Sequence, residues 1–142
     1  MQVIAKRVIF AATLVALGLG AYAFAYADDR RVLQHNLRLR TLPASVQRVQ
    51  CESRFTSDVI TDCYLTIDPR EFELLLTGYS FREYRPGLEN GGNTFFDAGT
   101  AFHVDRIYNA NISGDPEFPH GGNVLIYVNA DRTRVRSHYY AE

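Results

Sequence analysis

Residues 49–67 read VQCESRFTSDVITDCYLTI, and the spacing of their apolar members decides the fold. Val59, Cys63, Leu65 and Ile67 share one parity, with Thr61 between them, the pattern of a half-buried strand whose side chains alternate between two faces. Upstream, Val49, Cys51 and Phe55 share a parity, and Thr56, Ser57 and Asp58 between the two runs are turn formers. A hairpin centred on Ser57 pairs Phe55 with Val59, Ser53 with Thr61, Cys51 with Cys63 and Val49 with Leu65. That single register aligns the apolar partners and sets the cysteines opposite each other on adjacent strands, where a non-hydrogen-bonded pair is close enough for a disulfide. The chain has two cysteines in all. Closing a loop of about a dozen residues contributes roughly 3 kcal/mol in the chain-entropy model, less where the hairpin persists in the unfolded ensemble. The competing readings are free core thiols or half of a metal site, but the spacing is not C-x-x-C, which weakens zinc and thioredoxin-like chemistry alike.

Downstream, Asp68-Pro69-Arg70-Glu71 carries three agreeing signals of a helix start: a side-chain N-cap, a proline at N1, and a glutamate at N3 able to close a capping box. Phe72, Leu75, Leu76 and Tyr79 then fall at i, i+3, i+4 and i+7, a stripe that packs on the sheet, and Gly78 is placed to end the helix. Ser80 to Arg85 suggests a strand, Pro86 to Asn93 a loop, and the alternation of Phe102, Val104, Arg106 and Tyr108 one further strand. Ser113 to Gly122 is a turn-rich connection. Val124 to Val128, a turn at Asn129 to Arg132, and Thr133 to Tyr140 make a second hairpin. The expected class is α+β: a small, mainly antiparallel sheet with one packed helix, preceded by an N-terminal hydrophobic helix.

That N-terminal segment differs in kind from the rest. Lys6 and Arg7 precede Val8 to Ala27, a run without a charge, and the run ends Ala25-Tyr26-Ala27 before Asp28-Asp29. A positive n-region, an apolar h-region and small residues at the two positions a signal peptidase reads make cleavage after Ala27 the favoured reading. The rival is an uncleaved anchor, since about 20 apolar residues span a bilayer of roughly 30 Å. Arg30, Arg31, Arg38 and Arg40 on the far side outnumber Lys6 and Arg7, which opposes export on a positive-inside count. Gly18 and Gly20 near the end of the run and the paired cysteines favour it. The chain thus divides into 1–27, signal peptide or anchor; 28–43, a helical linker with Val32, Leu33 and Leu37 at helical spacing, stopped by Pro43; and 44–142, a globular α+β domain.

The run Leu42-Pro43-Ala44-Ser45-Val46-Gln47-Arg48-Val49, with Asp58, the strand to Ile67 and the helix Phe72 to Leu76, resembles a pattern in uncharacterised bacterial extracytoplasmic and lipoprotein domains. It covers about a quarter of the chain, and no lipobox cysteine stands beside the cleavage site. The resemblance implies a bacterial envelope location, with no activity to carry across.

Among 142 residues with a formal charge of −1, no clustered basic face recommends nucleic acid as a partner. Nucleophile motifs such as G-x-S-x-G and S-x-x-K, the H-E-x-x-H metal motif and phosphate-binding glycine loops are absent. His103 and Asp105 at i, i+2 would share a strand face and, with His120 or His138, ligate a metal or serve an enzyme, but two ligands do not make a site. Asp97, Asp105, Asp115 and Glu117 would supply paired acids only at separations that sequence does not give. Neither a cofactor nor a metal is expected. Aromatics are plentiful, and Tyr84, Phe95, Phe96 and Phe118 stand around the long loops 86–96 and 115–122, where they would anchor a protein partner. The expected function is that of a small envelope binding module acting through protein–protein contacts, as an inhibitor, immunity protein or accessory subunit. A small enzyme with an acid/His site and a purely structural envelope component are the alternatives, and membrane contact falls to the N-terminal segment.

Expression with the native N-terminus in a bacterial host is expected to yield a mature species beginning at Asp28. Intact-mass measurement checks it, and a product retaining residues 1–27 would establish the anchored form.

Overall fold

The computed structural model describes residues 28–86, 102–113, 116 and 118–142. The N-terminal hydrophobic segment, Phe95, Phe96, Asp97, Asp115 and Glu117 lie outside the described residues. Six strands form one sheet: β1 Gln47–Phe55, β2 Val59–Thr66, β3 Arg82–Tyr84, β4 Arg106–Ile112, β5 Gly122–Val128 and β6 Arg134–Ala141. Their order across the sheet is β1-β2-β6-β5-β4-β3, and every neighbouring pair is antiparallel. A meander runs from β3 to β6, and β6 returns to lie beside β2. The N-terminal hairpin is thereby fused to the rest. No helix among the described residues is long and apolar enough to cross a membrane.

The first hairpin has the register that its apolar spacing requires. Phe55 pairs with Val59, Ser53 with Thr61, and Cys51 with Cys63, and the two cysteines form a disulfide with Cα atoms 4.1 Å apart. The bond points to an oxidising, extracytoplasmic compartment. The expected Val49–Leu65 pair does not form. Gln50 pairs with Tyr64 but Gln47 with Thr66, so Arg48 and Val49 together face Leu65 in a β-bulge. Arg48 takes the left-handed φ of 52°, and this rotation keeps both Val49 and Leu65 buried. Phe55, at the hairpin tip, is 74% exposed and contributes nothing to the core.

One face of the sheet carries that core. Cys63, Leu65, Val124, Ile126, Val128, Val135 and Tyr139 pack against two helical elements. The first, α1, spans 28–36 and delivers Leu33 and Leu37, both completely buried. The stretch expected as a linker therefore supplies core residues. The second is a 3-10 helix, Pro69–Leu76, where an α-helix is the sequence expectation. Its period of three residues places Phe72 and Leu75 on one line, and these two are buried while Leu76 and Tyr79 sit at the margin.

Asp68 caps the 3-10 helix as expected, its Oδ1 accepting from the Arg70 amide at 2.9 Å, with Pro69 behind it. The capping box does not close on Asp68 itself. The Glu71 carboxylate instead accepts from the Ser45 amide and hydroxyl at 3.0 and 2.8 Å, and the Asp68 amide donates to Ser45 Oγ at 3.1 Å. A residue 26 positions upstream of Glu71 thus fills the place of the local partner, which ties the entry of β1 to the helix start.

Gly78 follows the C-cap Thr77, and its role is close approach. A Cβ there would lie 1.7 Å from the carbonyl oxygen of Leu37. The chain crosses the end of α1 at that point, and the Tyr79 hydroxyl donates to the Asn36 carbonyl at 3.1 Å. Because the obstructing atom is backbone, Gly78→Ala must push the two segments apart, and we expect a loss of about 2–3 kcal/mol. Urea denaturation of the oxidised protein measures it, and an unchanged midpoint would show that this crossing can relax freely.

Candidate functional site

The second face of the sheet is built from the other parity of each strand: Glu52 and Arg54 on β1, Asp62 and Tyr64 on β2, Arg136 and His138 on β6, Leu125 and Tyr127 on β5, Ile107 and Asn109 on β4, and Arg82 and Tyr84 on β3. Its charged centre is Asp62, which is only 7% exposed. Asp62 Oδ1 accepts from Arg136 Nε at 3.0 Å and Nη2 at 2.8 Å, and lies 3.0 Å from His138 Nδ1. Arg54 approaches the other oxygen at 4.0 Å. Burial opposes the Asp62 charge, but the hydrogen bonds from His138 and Arg136 outweigh it and hold the carboxyl below the usual carboxylate range. An ionised carboxylate only accepts, so His138 carries its hydrogen on Nδ1. The Arg136 guanidinium lies over Tyr64 and Tyr127, 5.6 and 5.5 Å from the ring centres. This network fastens β2, β6 and β5 together, and a small apolar cluster of Val104, Ile107 and Tyr127 adjoins it, with Tyr84, Phe102 and Leu125 packed on its margin.

At the other end of this face a cleft opens beside β3. Pairing of β3 with β4 stops at Arg82–Asn109, because upstream of Arg82 the chain leaves the sheet to cross α1. Between the departing segment and the continuing strand β4 lies a half-open cavity of about 460 Å³, lined by Arg38, Tyr79, Arg82, Tyr84, Asn109 and Asn111 among others. A second cavity of about 300 Å³ shares Arg38 and Tyr79 and adds His35 and Arg40. The charged side chains around both are arginines, and no carboxylate lines either. Asn109 Oδ1 is buried and has no hydrogen-bond partner among the described residues.

Arg38 reaches this position through the end of α1. The Leu39 amide donates to the Gln34 carbonyl at 3.0 Å and the Arg38 amide to the His35 carbonyl at 2.9 Å, the paired bonds of a Schellman ending with Arg38 at C′. Its φ of 51° is left-handed. The guanidinium lies 5.0 Å from the centre of the Tyr79 ring, whose other contact is the edge of Phe81 at 5.9 Å.

Of the residues singled out as partner anchors, Tyr84 lines the cleft. Phe118 is half-buried against the main core, its ring 6.4 Å from Tyr139. His103 and His120 are exposed, and Asp105 accepts from Arg106 Nε at 3.2 Å. No three His, Cys, Asp or Glu side chains converge on a metal-sized site among the described residues. His138 has Asp62 for its partner. The Asp62–Arg136–His138 group and the arginines of the cleft escape sequence reasoning. Arg136 and His138 do show the i, i+2 spacing of one strand face, but their partner is known only once β6 is placed beside β2. Comparison with protein-family models, curated proteins and solved structures finds no match.

Because the folded carboxyl of Asp62 titrates below its ordinary value of 3.8, its ionised form adds stability that is complete above that pH and is lost as the pH falls through the lower folded value. Asp62→Asn is expected to cost on the order of 2 kcal/mol at neutral pH, leaving Arg136 without its charge partner. The gap to the native protein should close on acidification below pH 3.8. Urea denaturation from pH 7 to pH 2.5 checks both the size and the sign.

Proposed function

We propose that this protein is an exported binding module of the bacterial envelope, which recognises an envelope protein by complementarity at the cleft beside β3. The lining of that cleft carries the proposal: Arg38, Tyr79, Arg82 and Tyr84 converge on one concave site, and arginine and tyrosine are residue types that concentrate binding energy at protein interfaces. The cavity lies in the size range of specific binding sites. Its walls are rigid, since Tyr79 is fixed to the Asn36 carbonyl and Tyr84 is packed on Ile107 and Tyr127. A preformed site spares the partner much of the ordering cost of association. Residues 1–27 supply the export signal or the tether, and the Cys51–Cys63 disulfide suits the periplasmic side of the inner membrane.

Arg82 makes no hydrogen bond or ion pair with the described residues, and its side chain is exposed, so Arg82→Ala should alter stability by no more than about 0.5 kcal/mol. Recovery of envelope proteins on immobilised, oxidised protein is expected to fall at least about tenfold with Arg82→Ala and with Tyr84→Ala, as for interface hot spots. Equal recovery by both variants and the native protein would remove the cleft from the interface.

A further inference from the structure

We propose that the occupant of this cleft is an acidic, extended peptide segment, whose carboxylates are received by Arg38 and Arg82. The proposal rests on the cleft being the recognition site and adds the chemistry of what enters it. Three observations support it.

The first is charge. The full chain is slightly acidic, with 16 Asp and Glu against 15 Lys and Arg, yet Arg38, Arg40 and Arg82 are the charged lining of the two adjoining cavities. Like charges gathered without a counter-charge raise the free energy of the empty site and lower it when a carboxylate enters. Guanidinium groups also offer the paired donors that match a carboxylate.

The second is backbone. Position C′ of a Schellman ending is ordinarily glycine, because a side chain in the left-handed region costs about 1 kcal/mol or more. Here it is Arg38, at φ 51°, with its guanidinium held over Tyr79. The fold bears this cost at the one residue shared with Tyr79 between both cavities. Strain kept where a side chain lines a cavity is explained by what that side chain receives.

The third is the open edge. β3 covers β4 only from Ile107 to Asn109, and the outer side of β4 from Ala110 to Ile112 has no strand beside it among the described residues. Asn111 and Ser113 form the cleft wall there. An extended peptide can lie along such an edge by strand addition, with alternate side chains turned toward the arginines.

The test is fluorescence anisotropy of a labelled, end-blocked hexapeptide of alternating valine and glutamate against the full oxidised protein. Its glutamine counterpart and free glucuronate serve as competitors. Saturable binding of the glutamate peptide is expected, weakened at least about fivefold between 50 and 300 mM salt and by a similar factor in Arg38→Gly and in Arg82→Gln. Arg38→Gly should at the same time leave the thermal midpoint unchanged or raise it, because glycine relieves the left-handed strain; this separates lost recognition from lost fold. Equal competition by the glutamine peptide, binding of glucuronate without the glutamate peptide, or no saturable binding would each overturn the proposal. If envelope partners are lost with Tyr84→Ala but recovered undiminished, and independently of salt, by Arg38→Gly and Arg82→Gln, the cleft is still the interface and the acidic segment is excluded.

Discussion

The pairing of β2 with β6 makes one sheet out of two separate ribbons. Asp62 and Arg136, which meet across it, are 74 residues apart in the chain, and all eight residues of β2 find partners on β6. Without that ladder the N-terminal hairpin has no core to face, and the meander from β3 to β6 ends in an open edge. The main core confirms the dependence, since Cys63 and Leu65 from one ribbon and Val124, Ile126 and Val135 from the other belong to a single packed cluster. Closing so long a loop costs entropy before its contacts repay it, so the ladder forms late and slowly. Its polar face is then fixed by the Asp62 carboxylate, which binds β6 twice, through Arg136 and through His138.

This dependence explains what could be read from sequence. Interactions that close within one local unit were legible: the register from Gln50 to Phe55, the disulfide, the Asp68 cap with Pro69, and the turn between β5 and β6, where Asn129 Oδ1 accepts from the Thr133 and Arg134 amides. Interactions that need a second, distant unit were not. The role of Ser45 in completing the cap of Pro69–Leu76, the crossing of Gly78 over Leu37 and the burial of α1 all arise from tertiary packing. The bulge at Arg48 breaks a period-2 pattern that continues unperturbed in the sequence, because an arginine gives no signal of a positive φ as glycine or asparagine would. Of the candidate site, only Tyr84 was marked in advance. Arginines look like solvated surface until the fold shows which of them share a cavity.

Arginine occupies all three left-handed positions held by residues other than glycine: Arg38, Arg48 and Arg132. Two of these have evident compensation in contacts. Arg132 donates to Glu73 at 2.6 Å and lies over the Phe72 ring at 5.4 Å, which clamps the 3-10 helix to the β5–β6 turn. Arg38 stacks on Tyr79. In both cases a long cationic side chain projects from a tight backbone corner onto an aromatic ring, so a strained residue becomes a fastening between elements. The exposed Arg48 shows no such contact, and its conformation is accounted for by the bulge alone.

The cysteine bridge has a consequence for how the chain matures. With two cysteines, a monomer has a single disulfide isomer, so oxidation requires no reshuffling and traps no mispaired species. The bridge spans only 12 positions, all within the first ribbon, and can therefore form while the C-terminal half is still crossing the membrane. An outermost strand, β1, is then already bound to its neighbour when β6 arrives. A permanently attached border of this kind cannot swing out to pair with another molecule, which protects a crowded, chaperone-poor compartment from strand exchange.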